Sequence, residues 1–162
     1  MLALAHWLES TTLSQEIQKA LWLIPLLQTI HIIAIAMVLS SVLMVALRIL
    51  GVGTAVTMAQ TSARYLPWLW TGLALLAVTG AALIIGEPKR ALPNPAFQIK
   101  MLIVATVVAV VLGFQTSLRR NFAFWEGHSR SRRLTGAFAV VVFLLWCTIA
   151  VAGRWIAYMH NA

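Results

Sequence analysis

Apolar residues gather in four long stretches, and short runs of polar, basic, glycine and proline residues separate them. The stretches lie at about 25–50, 66–86, 96–118 and 134–158. A helix of about 20 apolar residues crosses the hydrocarbon core of a bilayer, and only helices or closed barrels satisfy their backbone groups there. The pattern therefore predicts an all-α fold, in which residues 1–162 form a single domain, an integral membrane four-helix bundle.

The segment before the first stretch predicts short helices rather than a further span. Residues 1–10 mix apolar and polar side chains and are too few to cross a membrane, so we expect a short N-terminal interfacial helix. Thr12 followed by Gln15 is typical of a capping box, which predicts a second helix that continues to a kink at Pro25. Residues 54–65 predict a short connection between the first two spans.

The composition supports a membrane protein and argues against a nucleic-acid partner. The chain is 61% hydrophobic and 10% charged, whereas a soluble domain carries about 25% charged residues. The net charge of +8 comes from basic residues beside the apolar stretches, where they set orientation and contact lipid. The lone Cys147 excludes an internal disulfide and a cysteine metal cage. The bilayer is therefore the expected partner.

The basic residues also predict an orientation. With four spans, one side holds seven of them: Arg48, Arg64, Arg119, Arg120, Arg130, Arg132 and Arg133. The opposite side holds Lys19, Lys89 and Arg90, and these are offset by Glu9, Glu16 and Glu87. The positive-inside rule places the first group in the cytoplasm. We therefore expect a multi-pass protein of the bacterial inner membrane with both termini outside, in the periplasm.

The third span carries two features that predict its contacts. Ala105, Ala109 and Gly113 fall four residues apart, and small residues at this spacing let another helix approach closely. We therefore expect this stripe to face a neighbouring helix. Gln115 and Arg48 lie near the same end of the bundle, where they are candidates for an inner polar pair.

One layer of the predicted bundle gathers ionisable side chains. His31 lies in the first span, Gln28 lies one turn earlier on the same face, and Lys100 lies at a similar depth in the third span. Arg154 is near the outer end of the fourth span, and Glu87 at the end of the second span could join them. An unsatisfied polar group in hydrocarbon costs several kcal/mol, so a histidine at this depth indicates a site.

Two cations with little acid beside them indicate an anionic ligand. The carboxylates of a haem would supply it, with His31 as an axial iron ligand and Lys100 or Arg154 holding the propionates. A quinone head group bound by His31 and Gln28 also fits this layer. The alternatives are an interhelical hydrogen bond for His31, and cations that extend towards the headgroups.

Methionine and histidine near the two termini indicate a further alternative. A soft ligand set for copper on the outer side would consist of Met159, His160, Met1, His6 and Met101. No second histidine lies within a span, so a haem iron would be five-coordinate or would take His6 or His160 as its sixth ligand.

Three short segments resemble a known family. They are the run from His31 to Arg48, the second span from Pro67 to Gly80, and the Phe97-Gln98-Ile99-Lys100 start of the third span. They resemble the bacterial haem-binding protoporphyrinogen oxidases of the HemJ type and the related copper-resistance D-type membrane domains. The resemblance covers about residues 20–158 and implies a haem site built from His31 and Lys100.

The resemblance implies the fold and the haem site more directly than the oxidase activity. The oxidases have a histidine two residues before their lysine, where this chain has Gln98. They also have a Tyr-His pair about three turns later, where Val110 and Val111 stand here. Whether the protein is an enzyme therefore stays open.

The sequence thus predicts a small inner-membrane protein that binds haem b, or else contacts a quinone, at an outer-leaflet site around His31. Electron transfer or haem chemistry would be its role. The alternatives are a non-catalytic accessory subunit that docks on other membrane subunits or on a second copy, and a copper-handling membrane protein.

Overall fold

The computed structural model describes residues 2–52, 55–120 and 131–155. Every regular element in these ranges is a helix, as predicted. The helices are α1 Leu2–Glu9, α2 Thr12–Lys19, α3 Leu23–Leu50, α4 Met58–Gly86, α5 Pro88–Ala91, α6 Pro95–Arg120 and α7 Ser131–Trp155. Two short helices therefore precede the first long helix, as predicted.

Three of the long helices have the length and apolar composition needed to cross a membrane. They are α3 and α4 over their full length, and α6 from Phe97 to Arg120. The described apolar part of α7 is shorter, at Thr135–Val151. The all-α prediction and the membrane class of the chain thus agree with the structure.

The start of α3 corrects the expected kink at Pro25. The preceding helix, α2, ends at Lys19, and α3 begins at Leu23, so Pro25 falls in the first turn of α3. The N–H groups of a first turn have no partner within the helix, and proline is tolerated there without breaking it. The actual break lies before Leu23, and α3 then runs on to Leu50.

Gly51 ends α3 in a conformation that requires glycine. Its φ of 93° is in the left-handed region, where a side chain would be strained. Its N–H donates to the carbonyl of Arg48 at 3.1 Å, and the N–H of Val52 donates to the carbonyl of Leu47 at 2.9 Å. These two bonds satisfy carbonyls at the end of the helix.

The start of α4 corrects the short connection expected at residues 54–65. The helix begins at Met58, because Thr57 and Gln60 form a capping box. The Gln60 N–H donates to Thr57 Oγ1 at 3.2 Å, and the Thr57 N–H donates to Gln60 Oε1 at 3.0 Å. A threonine followed three residues later by glutamine before an apolar run is the signature of this motif, so the boundary was readable from the sequence.

All four long helices contribute to one apolar core. Its buried members are Val38, Val42, Leu69, Val107, Val111, Val142, Trp146 and Ile149. Helix α3 packs most extensively on α4 and next on α7, and α6 packs mainly on α7. Helices α4 and α6 approach each other only loosely, although they follow one another in the chain.

The contact between α3 and α4 is close because Gly72 has no side chain. A Cβ atom at Gly72 would lie 2.8 Å from Val38 Cγ2 and 3.3 Å from the Ala34 carbonyl oxygen. Ala34 and Val38 are fully buried. Small residues let transmembrane helices approach until their backbones nearly touch, and here they do so between the first two long helices.

The stripe of small residues on α6 faces outward, so its predicted contact with another helix is wrong. Ala105 and Ala109 are exposed, and a Cβ atom at Gly113 would have nothing within 4 Å. Instead, α6 buries Val107 and Val111. The valine face joins the core cluster that includes residues of α7, the helix on which α6 mainly packs.

The short helices dock on one end of the bundle, which we call the covered end. Gln18 Nε2 of α2 donates to the carbonyl of Gly86 at 3.0 Å, and Ile17 is buried against the same glycine. Glu9 of α1 forms an ion pair with Lys89 of α5. The other end carries the described arginines Arg48, Arg64, Arg119 and Arg120, and we call it the arginine end.

Candidate functional site

His31 is held by a side chain of the neighbouring helix. It is half-buried on α3, and its Nδ1 lies 2.7 Å from Oγ1 of Thr79 on α4. Thr79 is only 3% exposed. The prediction that the imidazole needs a polar partner is therefore met by a hydroxyl that the sequence analysis did not select.

The hydroxyl of Thr79 fixes which nitrogen of His31 carries the proton. Thr79 Oγ1 donates its single proton to the carbonyl of Leu75, one turn earlier, at 2.6 Å. The same oxygen must then accept from His31, so the imidazole proton lies on Nδ1. Nε2 of the neutral ring consequently keeps its lone pair, and within the described ranges it has no hydrogen-bond partner.

The ring of His31 rests against α4 where Gly80 follows Thr79. A Cβ atom at Gly80 would lie 3.6 Å from His31 Cε1, an ordinary van der Waals contact. The span contains two Thr-Gly pairs, Thr71-Gly72 and Thr79-Gly80, so the sequence alone did not show which threonine contacts His31.

Lys100 joins His31 across the bundle. It is half-buried on α6, and its ammonium lies close enough to act electrostatically on the His31 ring. The charge of Lys100 thus reaches His31, the other residue that the sequence analysis selected for this layer, although α3 and α6 are not among the helix pairs that pack extensively. Lys100 can only donate hydrogen bonds, whereas the free Nε2 of the neutral His31 ring can only accept one or bind a metal, so this partly buried layer pairs a cationic donor with a basic nitrogen.

The remaining predicted site residues are Gln28, Glu87 and Arg154. Gln28 is exposed on α3, one turn before His31. Glu87 lies between α4 and α5. The backbone of Arg154 belongs to α7, and its side chain is outside the described part of the structure.

The described residues add no metal-binding cluster that would support the copper alternative. Met101 is exposed on α6 and His6 is exposed on α1, while Met1, Met159 and His160 lie outside the described ranges. Within those ranges, no group of three or more histidine, cysteine, aspartate or glutamate side chains is arranged to hold a metal ion.

The residues at His31 fit a haem in their chemistry. Histidines that bind metals commonly donate the second ring N–H to a fixed acceptor, which sets the tautomer and the ring orientation. Thr79 supplies such an acceptor, and the lone pair of Nε2 is the donor that an axial ligand needs. Lys100 provides the positive charge that a propionate requires.

A second polar pair lies towards the arginine end. Trp70 Nε1 of α4 donates to Oε1 of Gln115 on α6 at 3.1 Å. The predicted pair of Gln115 with Arg48 is replaced by this bond, and Arg48 Nε donates to the carbonyl of Val56 at 2.6 Å. The Trp70–Gln115 pair lines a cavity of about 450 Å³ between α4 and α6.

The fold and the site define an all-α protein with helices suited to cross a membrane and a polar layer between them. Residues 7–159 match a family described as Family of unknown function (DUF6644), and the chain belongs to it. No curated protein matches the chain. No solved structure matches it either. The resemblance to the haem-binding oxidases and the copper-resistance domains therefore stays a prediction.

Proposed function

We propose that this chain is a small membrane protein that binds haem b through Nε2 of His31. The observation that carries the proposal is the hydrogen-bond chain from His31 Nδ1 to Thr79 Oγ1 and on to the Leu75 carbonyl. This chain orients the ring on α4 and leaves one basic nitrogen for a ligand. An iron porphyrin bound there supplies one-electron redox chemistry.

Lys100 is the residue that we assign to the anionic edge of the haem. Its ammonium acts on the His31 ring from α6 and is half-buried, so a propionate beside it would form a charge-assisted hydrogen bond in a medium of low dielectric constant. Arg154 of α7 is the second candidate for this role.

The membrane arrangement that accompanies this proposal has four spans. Helix α7 covers Ser131–Trp155, which is long enough to cross a bilayer, and it packs on α3 and α6. The positive-inside rule then places the arginine end in the bacterial cytoplasm and the covered end, with both termini, outside. The haem site lies nearer the covered end, in the outer leaflet.

A quinone is the second candidate ligand, and the exposure of Gln28 favours it. Gln28 and His31 lie one turn apart on α3, where Gln28 is exposed and His31 is half-exposed. A quinone that diffuses in the bilayer would reach them from the side. The O–H of a quinol would donate to Nε2 of His31, and the oxidised ring would accept from the Gln28 amide.

The test is an absorption spectrum of the detergent-purified protein, with and without added haem. The parent should show a Soret band, and His31→Ala should abolish or greatly reduce it because the iron–nitrogen bond is lost. Lys100→Ala should do less and weaken haem binding by roughly tenfold or more, since only a charge-assisted contact is removed. His128→Ala is the matched control, because His128 lies in the basic segment before the fourth apolar stretch and is not a candidate ligand of the haem iron.

Two outcomes would overturn the haem assignment. In the first, the parent has no Soret band and takes up no added haem. In the second, His128→Ala and His31→Ala lower bound haem equally, which would indicate adventitious binding. A titration with a soluble ubiquinone analogue then tests the quinone, whose binding should fall in both His31→Ala and Gln28→Leu.

A further inference from the structure

A cavity that does not include His31 lies in the groove between α4 and α6. Its volume is about 450 Å³. The first half of α4 and the last two turns of α6 form its walls, which include apolar Leu66, Pro67 and Leu118. The groove exists because these two helices approach each other only loosely.

Gln115 presents oriented hydrogen-bond donors in this groove. Its Oε1 accepts from Trp70 Nε1 at 3.1 Å, which fixes the direction of the amide. The amide NH₂ group therefore points away from the indole, and within the described residues it has no hydrogen-bond acceptor. An amide that already uses its oxygen can only donate to a further partner.

Arg119 adds a positive charge to the rim of the same groove. It lines the cavity one helical turn beyond Gln115. The described acids Glu9, Glu16 and Glu87 belong to the covered end, so none of the described carboxylates offsets Arg119. The groove thus has an apolar wall, an oriented donor and a cation at its mouth.

We propose that this groove binds an anionic phospholipid. The acyl chain lies along the apolar wall, an ester carbonyl accepts from the Gln115 amide, and the phosphate pairs with the guanidinium of Arg119. Basic pockets between transmembrane helices on the cytoplasmic side bind anionic head groups, and the arginine end is predicted to be cytoplasmic. The apolar wall favours a lipid over a free phosphate ion.

Ser62 adds a third polar group to the wall. It lines the cavity, and its buried hydroxyl oxygen has no hydrogen-bond partner within the described residues. A buried hydroxyl without a partner is unfavourable. This oxygen is closed off from the cavity, so the proposal assigns it no contact with the lipid.

The experiment compares lipids by native mass spectrometry and thermal unfolding of the detergent-purified chain. Phosphatidylglycerol should stay bound and raise the unfolding temperature, whereas phosphatidylcholine with the same acyl chains and inorganic phosphate should not. Arg119→Gln should weaken phosphatidylglycerol binding by roughly tenfold or more, because a hydrogen bond between charged groups is lost. Gln115→Leu should also weaken it.

The matched control is Arg120→Gln, which removes the same charge from the next residue of α6. Arg120 is exposed and does not line the cavity, so binding should not change. Arg119→Lys keeps the charge and should restore part of the binding. Equal retention of both lipids, an equal loss in Arg119→Gln and Arg120→Gln, or stabilisation by inorganic phosphate alone would each overturn the proposal.

Discussion

The two faces of α4 show how differently one helix can meet its neighbours. On one face, Gly72 brings the backbone of α4 against Ala34 and Val38 of α3. On the other face, α4 meets α6 through the long side chains of Trp70 and Gln115, across a cavity of about 450 Å³. The first contact is tight and the second is open.

Each face carries one hydrogen bond between side chains of two helices. Such bonds contribute about 0.6–2 kcal/mol in membranes, so they do not by themselves decide how closely helices pack. On the tight face, the Thr79 hydroxyl fixes the tautomer of His31. On the open face, Trp70 orients Gln115 towards a groove. The close helix pair thus provides rigidity for the histidine, and the loose pair leaves room for a lipid.

We expect the largest loss of stability from a larger side chain at Gly72, on the tight face of α4. Gly72→Leu would force atoms into Val38 and the Ala34 carbonyl, where even a Cβ atom has only 2.8 Å and 3.3 Å. Overpacking of this kind costs about 1–3 kcal/mol or more. Thermal unfolding followed by helical circular dichroism in detergent should show a clear loss of stability.

Gly113→Leu is the control for this change. Both glycines lie inside long helices, so the gain in helix propensity is similar, but a Cβ atom at Gly113 meets nothing within 4 Å. This variant should unfold at the parent temperature or above it. Equal behaviour of the two variants would contradict the contrast between the tight and the outward faces.

A smaller effect is expected from removing the hydroxyl that holds His31. Thr79→Val keeps the shape of the side chain but leaves the Nδ1–H without its acceptor, which costs about 1–2 kcal/mol. Stability should fall by this amount in the same unfolding assay, and haem uptake should weaken because the ring loses its orientation.

Thr71→Val on the same helix is the control. It distinguishes the loss of the bond to His31 from the loss of a threonine hydroxyl within the helix. Thr71 also donates to the carbonyl four residues earlier, that of Pro67, at 2.9 Å, but it is exposed. Thr79→Ser, which keeps the hydroxyl, should behave nearly like the parent. If Thr71→Val lost as much stability as Thr79→Val, the bond to His31 would contribute nothing measurable.

The lengths of the apolar segments and the depth of each residue along its helix could be predicted from the sequence. The four apolar stretches fall within the four long helices as far as these are described. Counting residues from the helix ends put His31 and Lys100 in one layer, and in the structure the charge of Lys100 acts on the His31 ring. Such counts work because the rise per residue of a helix is fixed at about 1.5 Å.

The rotation of each helix about its own axis could not be predicted from the sequence. The spacing of Ala105, Ala109 and Gly113 shows that they share a face, but not that this face points outward. In membranes both faces of a helix are apolar, so hydrophobicity does not distinguish inside from outside. For the same reason, Thr79 was missed as the partner of His31.

We expect the smallest loss of stability at the covered end, which lies outside both faces of α4. There Glu9 of α1 pairs with Lys89 of α5. The Lys89 side chain is 50% exposed and that of Glu9 is 34% exposed, and exposed ion pairs contribute only about 0–1 kcal/mol. Lys89→Gln should therefore lower stability slightly at low salt and leave it unchanged at about 1 M salt, where charges are screened. Lys19→Gln, which breaks the pair with Glu16 inside α2, is the matched control. A loss that persisted at about 1 M salt would contradict this assignment, because it would mean that Lys89 stabilises the covered end through contacts that salt does not screen.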